Sequence, residues 1–338
     1  MPADHHTDVA IIGAGPVGLF AVFECGMLRM KTHVIDALDT VGGQCAALYP
    51  EKPIFDIPGY PKIEAAELID KLAEQAAPFE PAYHLGRQVE QLVRAGDGGW
   101  RVVTAGGDTI TAKAVIVAAG VGAFGPNRPP LDGIGAFEGK SVLYYVKQRE
   151  ALRGKRVVIA GGGDSAVDWA LLLADIAARV MVVHRRPKFR AAPENAERLR
   201  ALADAGTLDL VVPFQLAGLE GSGDQLAAVL VESLDGAKRR LEADVLLPFF
   251  GLAMNLGPIA GWGLNLERNH IAVDPATCAT NVPGIFAIGD IATYGGKLKL
   301  ILSGFAEAAM AAHAIHPIVH PGEVLHFEYS TTKGVPGS

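Results

Sequence analysis

The sequence predicts an α/β fold with two Rossmann-like dinucleotide-binding domains, each carrying a β-meander. Three observations predict it: a glycine-rich motif occurs twice, each copy stands between an apolar strand and a helical stretch, and strand-like runs follow each copy. One such motif is weak evidence, because many glycine turns bind nothing. Two copies in the same strand–turn–helix–strand context are strong evidence for nucleotide binding.

The first copy lies at the start of the 338-residue chain. The apolar run 7–12 precedes the motif, a helical stretch follows at 19–29, and a second apolar run ends in Asp36. The first glycine permits a tight turn, the second lets a pyrophosphate approach the helix N-terminus, and the third lets helix and strand pack closely. The residues in these roles are Gly13, Gly15 and Gly18.

The second copy repeats this order. An apolar strand at 156–160 precedes the turn, a helical stretch follows at 167–178, and an apolar run follows at 180–184. Alanine is small enough to take the third role. The residues in the three roles are Gly161, Gly163 and Ala166.

The two copies differ where the second strand ends, 23 residues after the first glycine of each motif. Asp36 stands there in the first copy, and a carboxylate accepts hydrogen bonds from ribose hydroxyls but repels a phosphate. His184, Arg185 and Arg186 stand there in the second copy, with Arg190 close behind. Guanidinium groups suit a 2′-phosphate. The first site is therefore expected to hold FAD and the second NADPH.

Each copy is followed by three strand-like runs that we interpret as a meander. The first set is 89–94, 100–104 and 114–119, and the second is 208–219, 226–234 and 245–250.

A late apolar strand ending in Gly289–Asp290, followed by an apolar helix at 303–314, indicates that the chain returns to the first domain. An acid at a strand end can bind ribityl hydroxyls. We therefore expect the NADPH domain, 122–250, to be inserted into an FAD domain made of 1–121 and 251–338. A C-terminal extension begins at about 317. The inserted part carries a net charge of +1 and the remainder −8.

Composition excludes several other classes. Half of the residues are hydrophobic and 20% are charged, which excludes disorder, and a net charge of −7 argues against nucleic-acid binding. Cys25, Cys45 and Cys278 form no C-x-x-C, and the ten histidines show no metal-ligand spacing, so no disulfide framework and no metal site are expected. No signal-like N-terminus or membrane-length apolar run is present, so we expect a soluble cytoplasmic protein without membrane partners.

From Val9 to about Lys333, the chain resembles ferredoxin–NADP reductases of the thioredoxin-reductase-like type, a homodimeric flavoenzyme family. Three motifs are shared with thioredoxin reductases as well: GAGPVG at 13–18, GGGDSAVD at 161–168 and HRRPKFR at 184–190. Three are more specific to the ferredoxin reductases: GGQCAALYPEK at 42–52, GDIATYGGKLKL at 289–300 and FEYSTT at 327–332.

The resemblance implies an enzyme that exchanges a hydride between NADPH and flavin N5, and single electrons with an iron–sulfur or flavin carrier, ferredoxin or flavodoxin. It places Tyr49 against one flavin face, where the alternative is a loop anchor. Tyr329 from the partner subunit is expected against the other face, where the alternative is a disordered tail. No acid–base pair is expected, because hydride transfer needs none. Lys297 and Lys299 are expected either to contact FAD or an acidic ferredoxin, or to lie on a solvent-exposed face.

The candidate binding residues are as follows. For FAD they are Gly13, Gly15, Pro16, Gly18, Asp36, Gln44, Tyr49, Val89, Phe124, Asp290 and Thr331. For NADP(H) they are Gly161, Gly163, Asp164, Ser165, His184, Arg185, Arg186 and Arg190.

Two other functions stay open. One is a thioredoxin-reductase-like NADPH flavoenzyme that acts on a disulfide or quinone without its own dithiol. Thioredoxin reductases of this fold carry a C-x-x-C just before the second glycine motif, where this chain has SVLYYVKQ at 141–148. The other is a non-enzymatic FAD redox sensor, which has no obvious use for the basic residues at 184–186.

Overall fold

A computed structural model of the chain describes residues 3–96, 98–325 and 334. The chain forms two compact units: the first contains Met1–Phe124 and Met254–Ser338, and the second contains Gly125–Ala253. Among the described residues, no helix is both long and apolar enough to cross a membrane.

The first segment of the first unit alternates strands and helices up to a run of consecutive strands. Its elements are β1 (Asp4–Ile12), α1 (Pro16–Met27), β2 (Thr32–Ile35), α2 (Gly43–Ala47), β3 (Pro53–Ile54), β4 (Ile63–Glu64), α3 (Ala65–Ala76), a 3-10 turn (Ala77–Phe79), β5 (Ala82–His84), β6 (Val89–Arg94), β7 (Trp100–Thr104) and β8 (Thr109–Val117).

The chain then passes into the second unit and back through two strands that pair with each other, β9 and β17. The elements of this stretch are β9 (Ala123–Pro126), 3-10 turns (Ile134–Ala136, Arg149–Leu152), β10 (Arg156–Ala160), α4 (Asp164–Leu173), β11 (Arg179–Val183), α5 (Pro193–Asp204), β12 (Asp209–Val211), β13 (Gln215–Ser222), β14 (Gln225–Glu232), β15 (Lys238–Glu242), β16 (Val245–Pro248) and β17 (Leu252–Asn255).

The last segment returns to the first unit and ends in a long helix. Its elements are 3-10 turns (Gly257–Gly261, Gly289–Ile291), β18 (Leu266–Glu267), β19 (His270–Ala272), β20 (Ile285–Ala287), β21 (Ala292–Thr293) and α6 (Ile301–Val319). The final helix therefore continues past residue 314, where the sequence predicted its end.

The main sheet of the first unit has the order β5-β2-β1-β8-β7-β6, and β20 also pairs with β8. Strands β5, β2, β1, β8 and β20 are parallel, whereas β6, β7 and β8 form an antiparallel meander. The buried residues of β1 alternate between two cores: Val9 and Ile11 pack toward α1 and α6, and Ala10 and Ile12 pack toward the meander. A strand covered on both faces explains the unbroken apolar run in the sequence.

The second unit has a parallel sheet of order β12-β11-β10-β16 and a separate antiparallel meander, β13-β14-β15. This corrects the assignment of the second meander. The run 208–219 divides into β12 of the parallel sheet and β13, and the run 245–250 gives the parallel strand β16. The third meander strand is β15, sequence KRRLE, in which only Leu241 is buried. A solvated, charged edge strand has no apolar run to reveal it.

Candidate functional site

A cavity of about 390 Å³ lies in the first unit, at the carboxyl ends of β1, β2 and β8. Its size is within the range of small-molecule sites, and ligands of open α/β sheets bind at this edge. It brings together eight of the eleven residues predicted to contact FAD: Gly13, Gly15, Pro16, Asp36, Gln44, Tyr49, Val89 and Asp290.

The glycine turn after β1 forms the floor of this cavity. Gly13 has a φ of +113°, and a Cβ there would lie 2.3 Å from the carbonyl oxygen of Ala118. Gly15 begins α1, and a Cβ there would meet no atom within 4 Å. The helix N-terminus therefore presents its free N–H groups to open space, as a pyrophosphate site requires. Gly18 lies behind the turn, where a Cβ would lie 1.9 Å from the carbonyl oxygen of Gly13.

Asp36, just after β2, links this turn to the end of β2 through hydrogen bonds. Its Oδ2 accepts a hydrogen bond of 2.6 Å from the N–H of Ala14, and its Oδ1 accepts one of 2.8 Å from the N–H of Leu38. Burial raises the pKa of the Asp36 carboxyl, although these N–H groups act in the opposite direction. The Ala37 N–H also bonds to this carboxylate, so about one of its four acceptor positions is left for a ribose hydroxyl.

Helix α2 and the loop after it form another wall of the cavity. The side-chain amide of Gln44 lies beside Gly120: a Cβ on Gly120 would be 3.5 Å from the Gln44 Nε2 atom. The Tyr49 hydroxyl is hydrogen-bonded to the Cys45 thiol, and burial raises the pKa of both groups, that of Cys45 to about 11. The thiol is therefore protonated at neutral pH and is a poor nucleophile.

A buried polar network that the sequence did not predict supports the Gly289–Asp290 turn. Glu307 of α6 accepts a 2.7 Å hydrogen bond from the N–H of Gly289 through Oε2. Its Oε1 accepts hydrogen bonds from the Tyr294 hydroxyl, at 2.7 Å, and from the Lys297 ammonium. The side chains of Glu307 and Lys297 are 1% and 5% exposed.

Lys297 is thus a buried structural cation and lies on no solvated face. The sequence carried a sign of this buried network, because Glu307 is the single acid in the apolar stretch 303–314.

Other cavity residues were not predicted either. Arg87 and Gln88 follow β5, further ones come from 256–262 and 300–301, and the rest are neighbours of the predicted residues or lie at 118–122 after β8. Arg87 could have been inferred from its place just after a strand of the parallel sheet. The residues at 256–262 and 300–301 could not, because only the tertiary fold brings them to the cavity. Phe124 lies in β9, and its side chain is outside the described part of the chain. Tyr329 and Thr331 also lie outside the described residues.

The second unit has the equivalent glycine turn between β10 and α4. A Cβ on Gly161 would lie 2.7 Å from the carbonyl oxygen of Phe249, and a Cβ on Gly162 would lie 2.2 Å from the ring of His184. Gly163 begins α4, and a Cβ there would meet no atom within 4 Å. The second unit therefore also exposes a helix N-terminus beside a close-packed glycine turn.

The segment 184–190 folds against this turn, because the N–H of Arg190 donates a 2.7 Å hydrogen bond to the carbonyl of Gly162. Arg185, Arg186 and Arg190 are exposed, and none of them forms an ion pair with any described residue. The Nε2 atom of His184 is buried and has no hydrogen-bond partner among the described residues. Burial lowers the pKa of His184, and the neighbouring arginines add to this.

Asp164 and Ser165 are exposed at the start of α4, and Asp164 accepts a 2.9 Å hydrogen bond from the N–H of Ala192. This bond joins the start of α4 to the start of α5. The structure therefore places the predicted NADP(H) residues near one helix N-terminus, where the three guanidinium groups and one imidazole nitrogen have no partner in the described part of the chain. The exposed guanidinium groups and the helix N-terminus are donors that suit an anionic nucleotide.

Comparison with known proteins gives consistent relatives. The family model described as pyridine nucleotide-disulphide oxidoreductase matches residues 7–314. A ferredoxin–NADP reductase of Paramagnetospirillum magneticum is 65% identical over 334 residues, covering 99% of this chain and 99% of the relative. One of Granulibacter bethesdensis is 66% identical, covering 98% of this chain and 95% of the relative.

Solved structures show the same fold. A thioredoxin reductase of Lactococcus lactis is 25% identical with a TM-score of 0.80, over 93% of this chain and 99% of the other. One of T. acidophilum is 24% identical with a TM-score of 0.81, over 92% and 98%. The predicted α/β fold and the resemblance stated from the sequence are both confirmed.

Proposed function

Because the chain belongs to the pyridine nucleotide-disulphide oxidoreductase family, we propose that it is an FAD-dependent ferredoxin–NADP reductase. The observation that carries this function is the identity of 65–66%, over nearly the full length of both chains, to proteins named ferredoxin–NADP reductase. The enzyme exchanges electrons between NADP(H) and a one-electron carrier protein, ferredoxin or flavodoxin.

FAD binds in the cavity of the first unit, with Gly15 and the N-terminus of α1 at its pyrophosphate and Asp36 at the adenosine ribose. Gln44 and Asp290 contact the flavin and its ribityl chain, and Tyr49 lies against one flavin face. When bound, FAD supplies hydride exchange at N5 and single-electron exchange with the carrier. The chain contributes binding, orientation and a largely apolar pocket. Support comes from the open space at Gly15 and from the acceptor position left on the Asp36 carboxylate.

NADP(H) binds to the second unit, at the glycine turn before α4. Arg185, Arg186 and Arg190 hold the 2′-phosphate. This accounts for three exposed cations that have no ionic partner among the residues the structure describes. His184 lies at the same place, with its ring packed against Gly162 of the glycine turn.

We also propose that the enzyme acts as a homodimer in which Tyr329 of one subunit covers the second flavin face of its partner, with Thr331 near N5. Sequence resemblance alone supports this arrangement. Removing the chain from Phe327 onward should leave FAD bound but change ferredoxin-linked turnover. An unchanged flavin spectrum together with unchanged turnover would show that the tail has no role at the flavin.

A disulfide-reductase function is less well supported. Cys25, Cys45 and Cys278 are all free and buried. Burial raises the pKa of all three thiols. A disulfide substrate would find no thiolate pair to attack it.

The test uses purified full-length protein. The cofactor is released by heat and identified by chromatography, and NADPH oxidation is then measured with ferredoxins, flavodoxins and thioredoxin as acceptors. We expect FAD, a strong preference for NADPH over NADH, and turnover with a ferredoxin or flavodoxin. Recovery of FMN would contradict the cofactor assignment. Turnover with thioredoxin equal to that with ferredoxin would favour the disulfide-reductase function.

A further inference from the structure

Three histidines from separate strands meet on the main sheet of the first unit. His5 lies on β1, His33 on β2 and His84 on β5, which are neighbours in the sheet. One ring nitrogen from each lies within 4.8 Å of the others. The ring centroid of His5 is 5.6 Å from that of His33 and 4.7 Å from that of His84. The cavity residues do not include them.

The spacing of the ring nitrogens suits a small divalent transition metal. His33 Nδ1 and His84 Nε2 are 3.0 Å apart. Zinc–nitrogen bonds of about 2.0–2.1 Å in a tetrahedral arrangement separate two ligand nitrogens by about 3.3–3.4 Å. An ion between these rings therefore needs movements of a few tenths of an ångström for this pair, and rotation of the third ring.

The rings are also in the protonation state that a metal needs. Burial, together with the proximity of His84 and His5, lowers the pKa of His33 to about 4, and burial lowers the pKa of His84 as well. Neutral imidazole is the ligand form, so binding near pH 7 does not have to displace a proton from either ring.

We propose that His5, His33 and His84 form a binding site for one divalent transition metal of the zinc class, which joins β1, β2 and β5. Three imidazoles and an open fourth position for water are an established donor set for zinc, and imidazole also suits copper and nickel. This proposal does not depend on the proposed enzymatic function.

The neighbourhood of the cluster connects it to the cavity. The carbonyl of His84 accepts a 3.1 Å hydrogen bond from the N–H of Asp36. Asp108 interacts electrostatically with His5 and His84, and its Oδ2 lies 3.3 Å from the Nε of Arg87, a cavity residue. A metal at the cluster would therefore be linked to the cavity through the contacts of His84 with Asp36 and of Asp108 with Arg87.

The experiment is a calorimetric titration of zinc sulfate into tag-free, metal-stripped holoprotein at pH 7. We expect one zinc ion per chain and a zinc-dependent rise in Tm. His33→Gln and His84→Gln should each lower the zinc affinity at least tenfold and abolish the rise in Tm. His6→Ala is the matched control, because His6 is the next residue of the same strand and its side chain is 75% exposed.

His5→Ala provides a further test, because His5 lies near the exposed start of β1 and its loss should leave the fold intact even if a change at His33 or His84 does not. It should also lower the zinc affinity at least tenfold, and the visible spectrum of the cobalt-substituted protein should change with it. Absence of saturable binding overturns the proposal. So does binding that none of the three variants weakens, or that His6→Ala weakens as much.

Discussion

Replacing Glu307 with glutamine should destabilise the first unit far more than an ordinary charge deletion. Glutamine keeps the shape of the side chain, and its oxygen can still accept the hydrogen bond from Gly289. Its amide NH₂ cannot accept hydrogen bonds from Tyr294 or Lys297, so a buried ammonium is left without its carboxylate.

The magnitude follows from the burial of both partners, whose side chains are 1% and 5% exposed. Removing one partner of a buried ion pair costs about 3–5 kcal/mol. Total unfolding free energies are about 5–15 kcal/mol, so this is a large share of the stability. Lys297→Met combined with Glu307→Gln removes both charges and should recover most of the loss, because the penalty arises from the uncompensated charge.

The assay is urea unfolding followed by circular dichroism, with the free energy extrapolated to water for the wild type, both single variants and the double variant. Glu67→Gln is the matched control: Glu67 lies 3.8 Å from Lys71 on α3, and these side chains are 57% and 42% exposed. Such a pair contributes about 0.2–1 kcal/mol.

Two results would refute this reasoning. One is a loss for Glu307→Gln no larger than that for Glu67→Gln. The other is a double variant whose loss equals the sum of the two single losses, which would mean that the two buried charges are not coupled.

Three further predictions concern the second unit and the cysteines. Arg185→Ala should raise the KM for NADPH about tenfold or more and leave NADH kinetics nearly unchanged, because hydrogen bonds to a charged group contribute about 1.5–3 kcal/mol. Arg198→Ala is the control, since Arg198 is exposed on α5. Equal losses with both nucleotides would contradict recognition of the 2′-phosphate by Arg185. Cys45→Ser should retain most NADPH-to-ferredoxin turnover in a steady-state assay, and a thioredoxin-linked activity abolished by this change would contradict the assignment. The hydrogen bond from Arg156 lowers the pKa of Asp244 below its ordinary 3.8, so the pair stabilises the fold above that pH and its contribution is lost as the pH falls through the lowered pKa. The Tm of Asp244→Asn should therefore fall less than that of the wild type between pH 7 and pH 3. An equal fall in both proteins would show that the Arg156–Asp244 pair does not contribute to stability.

Local spacing predicted the glycine turns and the residues at the ends of their second strands, whereas the distant cavity residues Val89 and Asp290 were predicted separately. Gly13, Gly15 and Asp36 belong to one strand–turn–helix–strand stretch, so their spacing alone places them around the same turn. The same holds for Gly161 and His184 in the second unit.

The parts that sequence reasoning missed depend on contacts between distant segments. Glu307 reaches Gly289 from the opposite side of a loop, and His5, His33 and His84 come from three strands without a common spacing. Strand β15 was missed for a different reason, since its charged sequence carries almost no apolar signal.

The shared strand β8 has a consequence for the order in which the protein is made. β8 ends at Val117, but its parallel partner β20 starts only at Ile285, after the whole second unit. At a synthesis rate of about 5–20 residues per second, the 167 residues between them take roughly 8–33 seconds. During that interval the residues Val115–Val117 lack their β20 partner, and an unpaired strand edge can bind chaperones or aggregate. The second unit can complete its own sheets within this delay, so it can finish folding before the first unit into which it is inserted.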